Sequence, residues 1–266
     1  MHKKKKSLGQ HFLHSPHYLG MLADAAHIKK GNMVLEIGPG EGTLTKVLLE
    51  HGAKVIVVEK DRRLIPLLKE KFAKEVAAKK LIIVEGDALE FDISNYLPKT
   101  EKYKVVGNIP YYITGALLKK YLTAKIQTET LVFLMQKEVA ERITNHGMQS
   151  KNPKESILSL SVKAYGQPAY IATVPRGAFA PAPKVDSAIL AVTGISRRQF
   201  KNAENEERFF KLVRAGFAQK RKLLKRNLEK ILGKDALLAL KNAAIEENAR
   251  AEDIPLEKWL ALSRVS

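Results

Sequence analysis

Hydrophobic positions recur along the chain in two alternating styles. Short apolar runs at Met33-Val34-Leu35-Glu36-Ile37, Lys54 to Glu59, Leu81 to Val84, Lys104 to Val106 and Leu131 to Met135 read as buried strands. Between them the spacing turns helical. Tyr18, Leu19, Leu22, Ala23 and Ala26 predict a helix within residues 7–30, after a loop. Thr43 to His51 reads as a helix closed by Gly52. Arg62 to Phe72 is helical, with Pro66 tolerable only near its first turn. Leu117 to Leu122, Lys137 to Ile143 and Ser156 to Ala164 give further helices, and Tyr170 to Val174 and Ala188 to Val192 give late strands. Strands alternating with helices imply an α/β fold, a parallel sheet covered on both faces. From about Ile195 the strand signals stop, and Phe209, Phe210, Leu212, Val213, Phe217, Leu223, Leu224 and Leu228 follow helical spacing. The expected organisation is an α/β domain over residues 1–195 and a small all-helical domain over 196–266. There are no internal repeats.

Composition narrows the function classes. With 266 residues, 45% of them hydrophobic, the chain can bury a proper core. It has no apolar run of the roughly 18 residues that a membrane span needs. The start, Met1-His2-Lys3-Lys4-Lys5-Lys6, is basic without a following apolar region, so neither a secretory signal nor a mitochondrial presequence is expected. Cysteine is absent, which excludes disulfides and thiolate metal sites and fits a cytoplasmic protein. The strongest compositional signal is charge: 46 Lys and Arg against 28 Asp and Glu give +18, with a pI near 9.8. A polyanionic partner follows, because each basic side chain placed on a phosphate releases a counterion. A membrane surface would need a basic helix with a large apolar face, and none stands out.

Candidate chemistry collects at the predicted strand ends. Gly38-Pro39-Gly40-Glu41-Gly42 follows the first strand, where glycines permit a tight turn and close backbone approach to a ligand. Glu59 ends the next strand, 21 positions after Gly38, where a carboxylate can accept from both ribose hydroxyls. A nicotinamide or flavin site would show G-x-G-x-x-G and place pyrophosphate at the helix N-terminus. Here the spacing is G-x-G-x-G, and Glu36 and Glu41 would repel a pyrophosphate. They suit S-adenosylmethionine, which carries a sulfonium, an ammonium and no phosphate. Gly86-Asp87-Ala88 follows the third strand, and Asp87 reads either as a turn residue or as an acceptor for the cofactor's adenine amine. After the fourth strand comes Asn108-Ile109-Pro110-Tyr111. Its Asn oxygen and the backbone carbonyls around Pro110 can accept from an NH2 group, and Tyr111 offers a stacking face. Alone, that tetrapeptide more often marks a turn. Following three cofactor signals at successive strand ends, it points to an adenine or a cytosine.

With these residues in view, the chain resembles the KsgA-type ribosomal RNA adenine dimethyltransferase family. The resemblance runs from about Lys6 to at least Val192, and the helical tail also fits. It is carried by Gly9-Gln10-His11-Phe12-Leu13, Glu36-Ile37-Gly38-Pro39-Gly40, Glu59-Lys60-Asp61, Gly86-Asp87-Ala88, Asn108-Ile109-Pro110-Tyr111, Leu134-Met135-Gln136-Lys137-Glu138-Val139 and Phe179-Ala180-Pro181-Ala182-Pro183-Lys184-Val185-Asp186-Ser187-Ala188. It implies a Rossmann-like class I S-adenosylmethionine-dependent methyltransferase domain. His11 and Leu13 would line the cofactor's methionine end, Gly38 and Gly40 would approach it by backbone, Glu59 would hold the ribose, Asp87 with Ala88 the adenine, and Asn108 the junction with the target base. No metal is expected. Position 11 is often Asn in the family and is His here, and position 112, Tyr112 here, varies.

The target would be the 6-amino group of two adjacent adenosines near the 3′ end of small-subunit (16S) rRNA, as free rRNA or in a pre-30S particle, with the protein acting as a cytoplasmic monomer. Asn108 and the Pro110 carbonyl would accept the amine's hydrogens. Tyr111 and Phe179 would sandwich the flipped base, Phe179 because Pro181 and Pro183 suggest an exposed loop. Arg214, Lys220, Arg221, Lys222, Lys225 and Arg226 form a run with no acid among them and read as an RNA-binding surface, with Lys3 to Lys6 as a phosphate-binding arm. Competing readings are a large-subunit (23S) rRNA adenine methyltransferase of the macrolide-resistance class, a non-catalytic relative and, more distantly, a dehydrogenase.

Overall fold

A computed structural model describes residues 11–97, 102–147 and 154–264 of the chain. Lys3 to Lys6, Gly9 and Gln10 lie outside the described residues. By its internal contacts the chain forms two compact units. The first comprises the described residues up to Ala140 with Pro168–Ile195, and the second comprises the described parts of Glu141–Gln167 and of the chain from Ser196 on.

The first unit is built on a seven-stranded sheet ordered β4-β3-β2-β5-β6-β9-β7. In chain order these strands are β2 (Met33–Ile37), β3 (Lys54–Glu59), β4 (Leu81–Glu85), β5 (Tyr103–Asn108), β6 (Thr130–Gln136), β7 (Gln167–Val174) and β9 (Ser187–Thr193). A separate two-stranded ribbon pairs β1 (Phe12–Leu13) with β8 (Phe179–Ala180), Leu13 opposite Phe179. The strands from β4 to β6 run parallel, as the alternating pattern predicts. β9 runs antiparallel to β6, with Thr130 opposite Thr193, so the sheet is mixed. The inner strands are buried along nearly their whole length and mostly apolar, with Glu36 and Lys104 among the charged exceptions. β7 lies at the edge of the sheet and alternates exposed and half-buried positions along most of its length; an edge strand is where a proline such as Pro168 is tolerated.

The helices start and stop for local reasons. α1 (Pro16–Ala25) begins at a proline, whose missing N–H is needless in the first turn. Its far end is closed from a distance: the buried Lys104 on β5 donates from Nζ to the carbonyls of Ala26 and His27, both at 2.9 Å. A cation is favourable at a helix C-terminus. α2 (Thr43–Glu50) follows Gly42, and α3 (Leu64–Lys71) carries Pro66 in its first turn, where it is harmless. α4 (Ala73–Ala77), α5 (Thr114–Thr123) and α6 (Lys137–Thr144) complete this stretch. Leu19, Leu22, Leu44, Leu48, Val55, Val57, Val106 and Val132 belong to the core beneath them.

In the second unit α7 (Ile157–Lys163) opens on a capping box between Ser156 and Ser159, and α8 (Ala203–Gly216) on the Asn202 side chain, which accepts from the Asn205 N–H. α9 (Leu224–Leu232), α10 (Ala236–Asn242) and α11 (Leu256–Arg264) follow. The described parts of 141–167 pack with this unit, whereas the sequence pattern places the segment in the α/β domain. Tyr165 is the reason: its ring stacks on Phe210 at 5.8 Å and its hydroxyl donates to Glu206, which also accepts from Arg197.

Candidate functional site

β4, β3, β2 and β5 are neighbours in the sheet, so their carboxyl ends form one row. The chain builds outward from β2 to β3 and β4, then returns to place β5 on the other side of β2. Such a switch in direction opens a crevice at the strand ends, where open α/β sheets bind ligands. A cavity of about 210 Å³ lies there, lined among others by His11, Gly38, Gly40, Glu59, Asp87, Ala88, Asn108, Pro110 and Tyr111. The fold thus gathers most of the predicted site residues of this unit at one place, with the exceptions described below.

Backbone freedom shapes its floor. Gly40 takes φ +58°, and a Cβ there would stand 2.5 Å from Cε1 of Phe12, whose ring also lines the cavity. Gly107 lets β5 close on β2, since its Cβ would meet the Ile37 carbonyl oxygen at 2.8 Å. Glu59, at the end of β3, is buried. Its two oxygens accept the N–H groups of Gly40 (3.1 Å) and Asp61 (2.8 Å), tying the glycine turn to the next strand. Burial raises the carboxyl's pKa, and those two N–H groups pull it back in part. About four lone-pair sites on a carboxylate leave room for further donors.

Asp87 is also anchored twice. Lys60 Nζ donates to Oδ2 at 2.7 Å and the Leu89 N–H to Oδ1 at 2.9 Å, and both hold its pKa below the ordinary range, Lys60 foremost. Lys60 itself lines the cavity. Its place directly after the strand-end Glu59 was the available signal for it.

Asn108 is oriented by the N-terminal ribbon. Its Nδ2 donates to the His11 carbonyl at 2.7 Å, which leaves Oδ1 as the acceptor end of the amide. His11 is held in turn: Nδ1 lies 2.8 Å from the Pro181 carbonyl, and its ring lies near-parallel to Tyr111, 6.1 Å between centroids. A neutral or charged imidazole must carry a proton on Nδ1 to satisfy that carbonyl. The Pro110 carbonyl accepts from the Ile113 N–H at 3.2 Å and keeps a second lone pair. Tyr111 shares a 2.7 Å hydrogen bond with Ser187 Oγ, and burial raises its phenol pKa.

Three expectations need correction. Phe179 does not lie on an exposed loop and does not line the cavity. It is 6% exposed and belongs to the core, because β8 pairs with β1 and turns the ring inward despite the nearby prolines. Leu13, its partner in that ribbon, is likewise a core residue, and Phe12 supplies the cavity wall instead. Glu36 is not a cavity carboxylate either. It is buried, accepts from Thr45 Oγ1 at 2.6 Å, and its pKa is pushed up to about 8, chiefly by burial. Glu41 is exposed and also absent from the lining. The acidic groups that face the cavity are Glu59 and Asp87.

The model of the family described as ribosomal RNA adenine dimethylase matches residues 1–265. The chain belongs to that family. A relative from Dehalococcoides mccartyi, named ribosomal RNA small subunit methyltransferase A, is 40% identical over 263 residues, covering 98% of this chain and 87% of the relative. Among solved structures, a dimethyladenosine transferase from Plasmodium falciparum superposes with a TM-score of 0.79 at 28% identity, over 95% of this chain and 96% of its own. The 23S rRNA methyltransferase ErmE gives 0.75 at 28%, over 95% and 98%.

In the second unit the six basic residues singled out in the sequence lie on the last turn of α8, the following loop and α9. Lys225 pairs with Glu247 at 2.5 Å and Arg226 with Glu229 at 3.5 Å, acids that the local run does not contain. Arg214, Lys220, Arg221 and Lys222 are exposed and carry no ion pair among the described residues. No helix among the described residues is long and apolar enough to cross a membrane.

Proposed function

We propose that the protein transfers methyl groups from S-adenosylmethionine to the 6-amino groups of two adjacent adenosines near the 3′ end of 16S rRNA, and so takes part in small-subunit assembly. The observation that carries this reading is the Asn108 amide. Its nitrogen is committed to the His11 carbonyl, so its oxygen and the Pro110 carbonyl form an acceptor pair at the end of the cofactor row. The adenine dimethylase family and relatives named for the small subunit supply the substrate. We take the substrate particle to be a pre-30S subunit, acted on in the cytoplasm by a monomer.

The residues present fit the cofactor. Gly38 and Gly40 allow close backbone approach, Glu59 has acceptor sites for ribose hydroxyls, and Asp87 with Ala88 offers an acceptor and a small wall for adenine. S-adenosylmethionine supplies an electrophilic methyl group when bound. The protein's own task is to make a poor nucleophile adequate. The lone pair of adenine's 6-amino group is delocalised into the ring. Asn108 Oδ1 and the Pro110 carbonyl accept its two hydrogens and draw the nitrogen toward tetrahedral geometry, which returns the lone pair to it. Holding two reactants in register contributes roughly 7–11 kcal/mol in well-oriented systems. Tyr111, steadied by Ser187, gives the flipped base a face to stack on, worth about 1–3 kcal/mol. No strong base is required, because the alkylated nitrogen is acidic.

The structural likeness to ErmE keeps a large-subunit target as the second reading. One experiment separates them. Labelled S-adenosylmethionine and the protein are given to undermethylated small subunits and, separately, to large-subunit rRNA, and the modified bases are mapped. Two dimethylated adjacent adenosines in the small subunit are expected. Label confined to the large-subunit RNA would overturn the proposal.

A further inference from the structure

Tyr111 and Tyr112 are consecutive residues of one 3-10 turn, Tyr111–Ile113, yet they meet opposite surroundings. Tyr111 is half-buried, bonded to Ser187 and near-parallel to His11. Tyr112 is 67% exposed, the most open of the large hydrophobic side chains among the described residues. Its ring and hydroxyl make no hydrogen bond and no ring contact there. It nevertheless lines the same cavity, so it stands at the rim. Lys60, 59% exposed along its side chain, lines that cavity too.

Single exposed aromatic rings are common and need no special reason. What distinguishes this one is its place next to the residues that hold the target amine. A flipped base stays joined to its neighbours through the phosphodiester chain, so a flanking nucleotide must leave the cavity at its rim. Enzymes that act on flipped bases commonly select sequence context through such flanking nucleotides. Every base presents a π-face, and an open aromatic ring suits it.

We propose that Tyr112 is the platform on which the base flanking the target adenosine stacks. The inference rests on the reading of the site as a small-subunit adenine dimethyltransferase and deepens it. While the target adenosine has its amine at Asn108, Tyr112 carries the base of the nucleotide next to it on one side of the strand.

The test compares Tyr112→Ala, Tyr112→Phe and Tyr112→Trp in the full-length protein. Undermethylated small subunits serve as substrate, and S-adenosylhomocysteine binding is measured separately. Tyr112→Ala is expected to raise the KM for the subunit by about 5- to 150-fold, the equivalent of one base–aromatic stack. Its S-adenosylhomocysteine affinity should be unchanged, and Phe or Trp should restore the KM. In an RNA fragment spanning both adenosines, 2-aminopurine at the flanking position should be quenched by the wild type and by Tyr112→Phe, and not by Tyr112→Ala. An unchanged KM in Tyr112→Ala overturns the proposal, and so does a loss of S-adenosylhomocysteine affinity that matches the rise in KM. If the wild-type protein itself puts no methyl on the small subunit, the underlying reading fails before any variant is compared.

Discussion

The Asn108 carboxamide has a donating end and an accepting end, and the His11 carbonyl at 2.7 Å decides which is which. Replacing Asn108 by Ala removes the acceptor and leaves the His11 carbonyl without its donor. The expected loss in the methyl-transfer rate is roughly 10²- to 10³-fold, as for other preorganised polar groups at a reacting centre. Single-turnover transfer to undermethylated subunits measures it, and near-normal rates would rule out the polar clamp. A second residue-scale consequence concerns Glu36. Its carboxyl titrates near 8 in the fold, against 4.5 for an unperturbed group. Between those values the folded state holds a proton that the unfolded chain has released. Stability therefore falls as pH rises, by about 1.4 kcal/mol per unit. The contribution is complete below pH 4.5 and lost as pH climbs through 8. Glu36→Gln keeps an oxygen for Thr45 Oγ1 and removes the titration. Urea midpoints taken from about pH 5 to pH 8 should show the variant gaining on the wild type as pH rises. Parallel profiles would mean that Glu36 is already ionised in the fold.

At the scale of elements, the row of strand ends does the positioning, and the glycine turn after β2 is its tightest part. Gly40→Ala would put a methyl 2.5 Å from the Phe12 ring at a φ of +58°. The left-handed backbone alone costs roughly 1–2 kcal/mol for a residue with a Cβ. A fall in S-adenosylhomocysteine affinity of about tenfold or more is expected with a lower melting temperature. Gly20→Ala in α1 is the control, because nothing lies within 4 Å of its would-be Cβ and it lies outside the cavity lining. Equal behaviour of the two variants would refute the close-packing account. The strands and this row were legible because their apolar runs and terminal acids are local in sequence. Phe179 and Leu13 were not, since a two-residue ribbon decides their burial and only its long-range pairing reveals it. Nothing in the run Lys104-Val105-Val106 announces that its lysine closes a helix nearly eighty positions earlier. Nor does Tyr165 declare its partner: the Phe210 ring and the Glu206 carboxylate that draw it to the helical unit lie more than forty positions on.

For the whole molecule the governing quantity is the charge of +18, and the fold shows which part of it is available. The basic run after α8 looked uniform in sequence. Glu247, brought in by the chain's return, and Glu229 offset Lys225 and Arg226, while Arg214, Lys220, Arg221 and Lys222 carry no ion pair among the described residues. If this strip contacts rRNA phosphates, reversing Lys220, Arg221 and Lys222 to Glu should weaken RNA binding and flatten its salt dependence. Each phosphate contact contributes about 0.7 to the slope of log K against log salt on single strands, so three lost contacts should make it shallower by about 2. Neutralising Lys225 and Arg226 should have a smaller effect, because their charges are already partly compensated. Binding isotherms for undermethylated small subunits at several salt concentrations measure both. S-adenosylhomocysteine affinity should be the same in all variants, since these positions belong to the second unit and the cavity to the first. A triple reversal that left the slope intact would show that the phosphates are met elsewhere. A larger effect at Lys225 and Arg226 than at the three loop residues would mean that their pairs with Glu247 and Glu229 open when RNA binds.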